Sequence, residues 1–342
     1  MNTITVFGAG SWGTALAMLL ARGGRKVTLW CRSKKQAERV TSLGENARYL
    51  PGIPIPSDVQ TTDNLQSAMS HSECWILAIP TQAVRSILKQ LSAQNVSKTK
   101  VSVCNVAKGI EIESLLRISQ IVEHEAPWMR YSILSGPTLA KEVAQGLPAA
   151  AAVASSSPSE ATLWQTVLNG STFRVYTSTD VCGVETGGAL KNVIAIASGM
   201  AHRMQAGDNA TAALVTRGLA EITRLGVAMG AYPITLAGLA GIGDLMVTAY
   251  SRHSRNFRLG MALEEGLPLA KAMETLGQVA EGAFTVQAAT ALGKRLDVDL
   301  PISRAVHRVL YEGVAPASAM QDLMARDPKP EYPMDIFRDS TR

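Results

Sequence analysis

The opening of the chain leaves it few folds. Ile4-Thr5-Val6-Phe7 is a short apolar run, Gly8-Ala9-Gly10-Ser11-Trp12-Gly13 follows at once, and residues 14–21 form an uninterrupted helix-forming stretch. A strand, a G-x-G-x-x-G turn and a helix are the first unit of a dinucleotide-binding βαβ fold. Gly8 permits the tight turn, Gly10 lets a pyrophosphate approach the backbone, and Gly13 lets the helix pack close to the strand. The helix N-terminus then offers free N–H groups and the positive end of its dipole to phosphates. The same spacing occurs in unrelated glycine-rich turns. The flanking strand and helix are what favour a nucleotide here.

Strand-like and helix-like segments alternate through the first half. Lys26-Val27-Thr28-Leu29-Trp30 is a second strand; 73–79, 100–106, 131–134, 149–154 and 173–176 continue the series, with a helix over 84–91. Such alternation predicts a mostly parallel sheet with right-handed crossovers. Beyond residue 180 the strands stop. Helix-period stretches follow at 187–204, 209–229, 269–276, 285–296 and 302–311, without period-2 alternation. The expected fold is α/β plus all-α: a Rossmann-type, doubly wound sheet at 1–180, an all-helical domain at 181–330, and an extended tail at 331–342.

Composition agrees and excludes some functions. The 342 residues suit two domains at ~150 residues each. With 46% apolar and 18% charged residues, the chain reads as globular with a large core. The net charge is +5, but no Lys/Arg block or aromatic–basic interleaving accompanies it, so nucleic acid is not expected. A small anionic substrate or an ordinary solvated surface accounts for the excess. The cysteines (31, 74, 104, 182) and histidines (71, 124, 202, 253, 307) lack the closely spaced pairs that zinc requires, so no metal is expected. Cys74 and Cys104 fall in strand-like runs, as reduced core thiols of a cytoplasmic protein do. No signal-peptide pattern and no membrane-length apolar run is read, so no integral membrane association is expected.

Six strings carry chemistry. An NAD-preferring site of this type has an acid ~20 residues beyond the glycines. Here the second strand runs into Cys31-Arg32-Ser33-Lys34-Lys35, with no acid. Arg32 suits a 2′-phosphate, so NADP (as NADPH) is favoured over NAD; stacking of Arg32 on adenine is the alternative. Val106-Ala107-Lys108-Gly109 ends a strand, and open α/β sheets bind ligands outside such ends, so Lys108 either faces the crevice or snorkels at the surface. Ser135-Gly136-Pro137-Thr138 ends another, with N–H and hydroxyl groups for a small polar ligand. Gly187-Gly188-Ala189-Leu190-Lys191-Asn192-Val193-Ile194 sets Lys191 within an apolar helix. Desolvation lowers a lysine pKa towards the range of acid/base catalysis, unless the residue lies on a polar face. Finally, Gly241-Ile242-Gly243-Asp244 presents Asp244 from a glycine-rich loop, and Ser254-Arg255-Asn256 stands at a helix start. N–H groups, a hydroxyl and a guanidinium there make a phosphate clamp, although Ser254 also suits a simple N-cap.

Taken in order, GAGSWGTALA (8–17), AKGIE (107–111), SGPTLAKEVAQGLPAA (135–150), GGALKNVIAIASG (187–199), GLAGIGDL (238–245), SRNFRLG (254–260) and AEG (280–282) are a specific set. On these strings the chain resembles bacterial-type NAD(P)-dependent glycerol-3-phosphate dehydrogenases over nearly its full length. The resemblance implies interconversion of dihydroxyacetone phosphate and sn-glycerol 3-phosphate, in the supply of phospholipid precursors. It implies Lys191 as acid/base and Lys108 as a substrate and cofactor ligand. Gly136, Thr138 and Asp244 would contact the substrate, and Ser254, Arg255 and Asn256 would hold its phosphate, Arg255 also reaching the cofactor. Ser11, Trp12, Arg32, Ala140, Val279 and Glu281 would contact the nucleotide, and a homodimer through the helical half is expected. The stretches Thr248-Ala249-Tyr250-Ser251-Arg252 and Gly282-Ala283-Phe284-Thr285 depart from the commonest pattern. Two other readings compete: a Rossmann-plus-helical reductase of a hydroxyacid or ketopantoate, and a cofactor sensor without turnover. The Ser254-Arg255-Asn256 clamp argues against the first, and Lys191 with Asp244 against the second.

Overall fold

Eight strands among the described residues share one sheet in a computed structural model that covers residues 2–95 and 100–331. They are β1 (Thr3–Phe7), β2 (Lys26–Trp30), β3 (Val59–Thr62), β4 (Cys74–Leu77), β5 (Val101–Asn105), β6 (Met129–Ser135), β7 (Ala149–Ala154) and β8 (Phe173–Ser178). The spatial order is β3-β2-β1-β4-β5-β6-β7-β8, and only the β6–β7 pair is antiparallel. From β1 the chain steps out to β2 and β3, then returns to the other side of β1 as β4 and continues to β5 and β6. The connections leaving β1 and β4 therefore diverge. That divergence opens a crevice outside the carboxyl ends of the strands. Four loops meet there, following β1, β4, β5 and β6.

Strands buried on both faces need apolar side chains on both. Ile4, Val6, Phe7, Leu29, Ile76, Leu77 and Val103 are accordingly all buried. At the β1 turn, Gly8 adopts φ +114°, and a Cβ on it would lie 2.4 Å from Ala78 O; a Cβ on Gly13 would lie 1.9 Å from Gly8 O. Both glycines are required by close approach of main chain.

Several strand ends differ from the sequence reading by one or two residues, and two departures have a clear physical cause. The segment expected at 73–79 is a strand only over Cys74–Leu77, because Ala78-Ile79-Pro80 leave the ladder to line the crevice. The strand β3 was not read at all. Its Val-Gln-Thr-Thr sequence sits half-buried at the sheet edge, so no apolar run marks it.

The helical half begins at Val181, three residues past the end of β8. Its central helix, Val181–Arg203, is buried from Gly183 to Ala201 and is wrapped by Gly207–Ala228, Asp244–Tyr250, Arg255–Glu264 and Glu281–Arg295. It starts six residues before the expected 187. The glycines at 183, 187 and 188 oppose a helix by propensity, and burial overrides them. The Arg255–Glu264 helix crosses it at main-chain contact: a Cβ on Gly199 would lie 2.0 Å from Phe257 O, and one on Gly260 2.0 Å from Ile196 O. The apolar stretch Pro233–Tyr250 has the length and mean hydropathy (1.3) of a membrane span, but it is two short helices joined by a π-helical turn, Leu239–Gly243. The tail expected at 331–342 lies, except for Glu331, outside the described residues.

Candidate active site

A cavity of about 990 Å³ runs from the crevice into the helical half. Gly8, Gly10, Ser11, Trp12, Arg32, Lys108, Thr138, Ala140, Lys191, Ser254, Arg255, Asn256, Val279 and Glu281 all line it. Residues separated by up to 273 positions are thus brought to one surface. Three predicted residues are not on that surface. Gly13 packs beneath the β1 turn, Gly136 at the end of β6 presses on Ala150 and Ala151, and Asp244 is buried behind the lysines.

The π turn ends at Asp244 and delivers its carboxylate between two lysines. Lys191 Nζ donates to Asp244 Oδ1 at 2.6 Å, and Lys108 Nζ donates to Asp244 Oδ2 at 2.5 Å. Ser135 Oγ also donates to Oδ2 (3.2 Å), and Lys108 Nζ to Gly136 O (3.1 Å). Both Asp244 oxygens are therefore engaged by the protein, so its expected contact with the substrate is not a direct one in this arrangement. Lys108, from the sheet half, reaches the crevice rather than the outer surface.

Burial and charge compete in this cluster. Desolvation is the largest influence on Lys191 and pushes it down from 10.5 to about 8; the attraction of Asp244 opposes that, and the like charges of Lys108 and Arg255 add to it. For Asp244, burial alone would raise the carboxyl, but the two lysines outweigh it and hold it below the usual aspartate value. The result is a fixed carboxylate beside an ammonium that exchanges its proton near neutral pH.

At the start of the Arg255–Glu264 helix, Ser254 is the N-cap, its Oγ accepting from Phe257 N at 3.3 Å. Its O–H remains free to donate, so capping and anion binding coexist. Asn256 is differently used. Its Nδ2 donates to Asn192 Oδ1 (2.8 Å), and its Oδ1 accepts from Gly282 N (3.0 Å). Of the three, Ser254, Arg255 and the helix N–H groups carry the anion-binding potential, and Asn256 ties the clamp to the Lys191 helix.

The other end of the cavity fits a dinucleotide. A Cβ on Gly10 would meet nothing within 4 Å, so the turn has an open face. Trp12 Nε1 and Glu281 Oε2 are buried without hydrogen-bond partners among the described residues. Glu281 Oε1 accepts from Thr81 N at 3.0 Å. Arg32 is exposed at the cavity rim and forms no ion pair among the described residues, while Ser33 caps the next helix. An orphaned donor, an orphaned acceptor, an open glycine face and an uncommitted guanidinium are the complement of a polar, anionic ligand.

Sequence reasoning missed several lining residues. Thr248 accepts from Lys191 Nζ at 2.6 Å and donates to Asp244 O at 2.6 Å. It lies one helical turn past Asp244, and that spacing was the available signal. Asn192, beside Lys191, was visible as a second polar group in an apolar helix. Gln278, whose Oε1 accepts from Ser11 Oγ at 2.9 Å, had no sequence signal, since the contact joins segments 267 residues apart.

Comparison with known proteins gives one consistent result. Residues 3–161 match the family described as NAD-dependent glycerol-3-phosphate dehydrogenase N-terminus, and 180–321 match the corresponding C-terminus. A glycerol-3-phosphate dehydrogenase [NAD(P)+] of Pelotomaculum thermopropionicum is 46% identical over 94% of this chain and 93% of its own length. One from Bacillus subtilis is 45% identical over 95% of each chain. The crystal structure of a glycerol-3-phosphate dehydrogenase from Coxiella burnetii superimposes with a TM-score of 0.91 at 36% identity, covering 95% of this chain and 99% of its own. With both halves matched and the relatives aligned nearly end to end, the chain belongs to the NAD-dependent glycerol-3-phosphate dehydrogenase family.

Proposed function

We propose that the chain interconverts dihydroxyacetone phosphate and sn-glycerol 3-phosphate with NAD(P)H or NAD(P)+. The observation that carries the reading is Lys191, buried and paired with Asp244, lining one cavity with the Ser254–Arg255 helix start and the Gly8–Trp12 turn. The sheet half, 1–180, takes the nucleotide: the Gly8–Gly13 turn receives the pyrophosphate, Trp12, Ala140, Val279 and Glu281 contact the cofactor, and Arg32 takes a 2′-phosphate. When bound, the reduced nicotinamide supplies a hydride to the carbonyl carbon of the ketone. Lys191 gives its proton to the carbonyl oxygen as charge builds there, and Lys108 stabilises that charge. Asp244 aims both lysines, while Gly136 and Thr138 shape the strand end beside them. Ser254 and Arg255, with Asn256 bracing them, hold the phosphate, remote from the bond change. They position the ketone and contribute binding energy usable in the transition state.

Oxidation of NADPH on adding dihydroxyacetone phosphate, followed by absorbance, tests the reading; no turnover with either NADPH or NADH overturns it. Preference for NADPH suits the reductive direction, towards glycerol 3-phosphate as a phospholipid precursor. A cytoplasmic location belongs to the same reading and is supported by the buried thiols of Cys31 and Cys104. A homodimer through the helical half is supported by exposed Tyr232, Ile234, Met246 and Tyr250; a monomer in analytical ultracentrifugation would overturn it.

A further inference from the structure

Lys108 belongs to the sheet half, whereas Lys191 and Asp244 belong to the helical half. The cluster forms only if the Val181–Arg203 helix sits at the right height and roll against the sheet. Val184 packs with Ile133 and Ala154 of the sheet, and Glu185, Gly188 and Asn192, spaced as one helical stripe, meet the sheet half as well. Gly188 presses on Ser135, where a Cβ would lie 2.6 Å from Ser135 Oγ. Asn192 Nδ2 donates to Lys108 O at 3.3 Å. Glu185 makes the strongest contact of the stripe. Its carboxylate is 4% exposed and accepts from Ser119 N (2.7 Å), Ser119 Oγ (2.6 Å), Arg117 Nη1 (2.6 Å) and Tyr131 OH (2.7 Å). All four donors come from the sheet half. Glu185, Arg117, Ser119 and Tyr131 are absent from the lining of the cavity and from the phosphate clamp.

We propose that Glu185 is a positioning residue for the reaction: held by Arg117, Ser119 and Tyr131, it registers the Val181–Arg203 helix so that Lys191 and Asp244 meet Lys108. This deepens the dehydrogenase reading and rests on it. The geometry sets the sensitivity. A one-residue slip of an α-helix moves a side chain about 1.5 Å along the axis and about 100° around it. Misplacing a reacting group by about 1 Å can cost on the order of a hundredfold in rate. The charged groups bearing on Lys191 are Asp244, Lys108 and Arg255. Moving the helix away from the sheet separates Lys191 from Lys108, whose like charge holds its pKa down, so loss of register has a signature that loss of stability alone lacks.

The test is an NMR titration of the Lys191 side chain in the ligand-free protein, beside steady-state kinetics, for Glu185→Gln, Ser119→Ala and Tyr131→Phe. For Glu185→Gln the Lys191 midpoint should rise above its starting value of about 8. Its kcat should fall about tenfold or more, with NADPH affinity unchanged. Ser119→Ala and Tyr131→Phe each remove one donor and should shift the midpoint and kcat less, in the same direction. A lower melting temperature with an unmoved Lys191 midpoint would reduce Glu185 to a structural brace and overturn the proposal. Should Glu185→Gln fail to fold, the two milder variants decide it, and unshifted midpoints in both overturn it. The titration needs neither substrate nor cofactor. Absence of turnover in the unmodified enzyme would therefore overturn the dehydrogenase reading through a separate measurement.

Discussion

Lys191 Nζ and Asp244 Oδ1 lie 2.6 Å apart, with the lysine 6% and the aspartate 1% exposed. An ion pair so deeply buried is weak evidence for a stability gain, since desolvation offsets most of the attraction. In the proposed reaction its value is functional: the carboxylate opposes the desolvation of the ammonium and holds it at the cavity wall.

Replacing the lysine separates chemistry from binding. Lys191→Ala should lower kcat by about 10²–10⁴-fold, the range for a lost general acid. NADPH affinity, read by fluorescence titration, should be retained. Near-normal turnover would refute the assigned role.

If Lys191 is the acid/base group proposed above, its proton sets the pH dependence. Reduction of the ketone requires the ammonium, so its rate should fall as pH rises through about 8. Oxidation of the alcohol requires the neutral amine and should rise through the same pH. Profiles of kcat for the two directions would check the mirror relation; parallel profiles would contradict it.

Removing the shared carboxylate should cost both stability and rate. Asp244→Asn leaves Lys191 and Lys108 close together without their anion. About 3–5 kcal/mol of destabilisation is expected for a buried pair broken on one side. Urea denaturation measures it, and a loss under 1 kcal/mol would show that the lysines relax into solvent.

At the nucleotide end, Arg32→Asp replaces the cation at the cavity rim with the acid that NAD-preferring sites use. The ratio of kcat/KM for NADPH over NADH should fall, and an unchanged ratio would show that Arg32 does not read the 2′-phosphate.

At the substrate end, Arg255→Ala should raise KM for dihydroxyacetone phosphate and lower kcat/KM, because remote phosphate binding is used to reach the transition state. A normal KM would move the phosphate elsewhere.

Much of this site was legible in the amino-acid order alone, because its signals are local. The Gly8–Gly13 turn, the missing acid after β2, a lysine inside an apolar helix and a Ser-Arg-Asn helix start each depend on neighbours within a few residues. The alternation of strands and helices up to residue 180 is local too, and so was the change to helices beyond it. Where local signals were weak or contrary, the reading failed. The strand β3 has no apolar run because an edge strand buries only part of itself, and the Val181–Arg203 helix begins among glycines that only burial makes helical. Tertiary structure alone decided which residues of distant segments meet: Asp244 between lysines from two halves, Asn256 spent on Asn192 and Gly282, Gln278 on Ser11, and Glu185 on Arg117, Ser119 and Tyr131. Such pairings follow from how a helix seats on a sheet, and seating is the joint outcome of many packing contacts that no single stretch of sequence encodes.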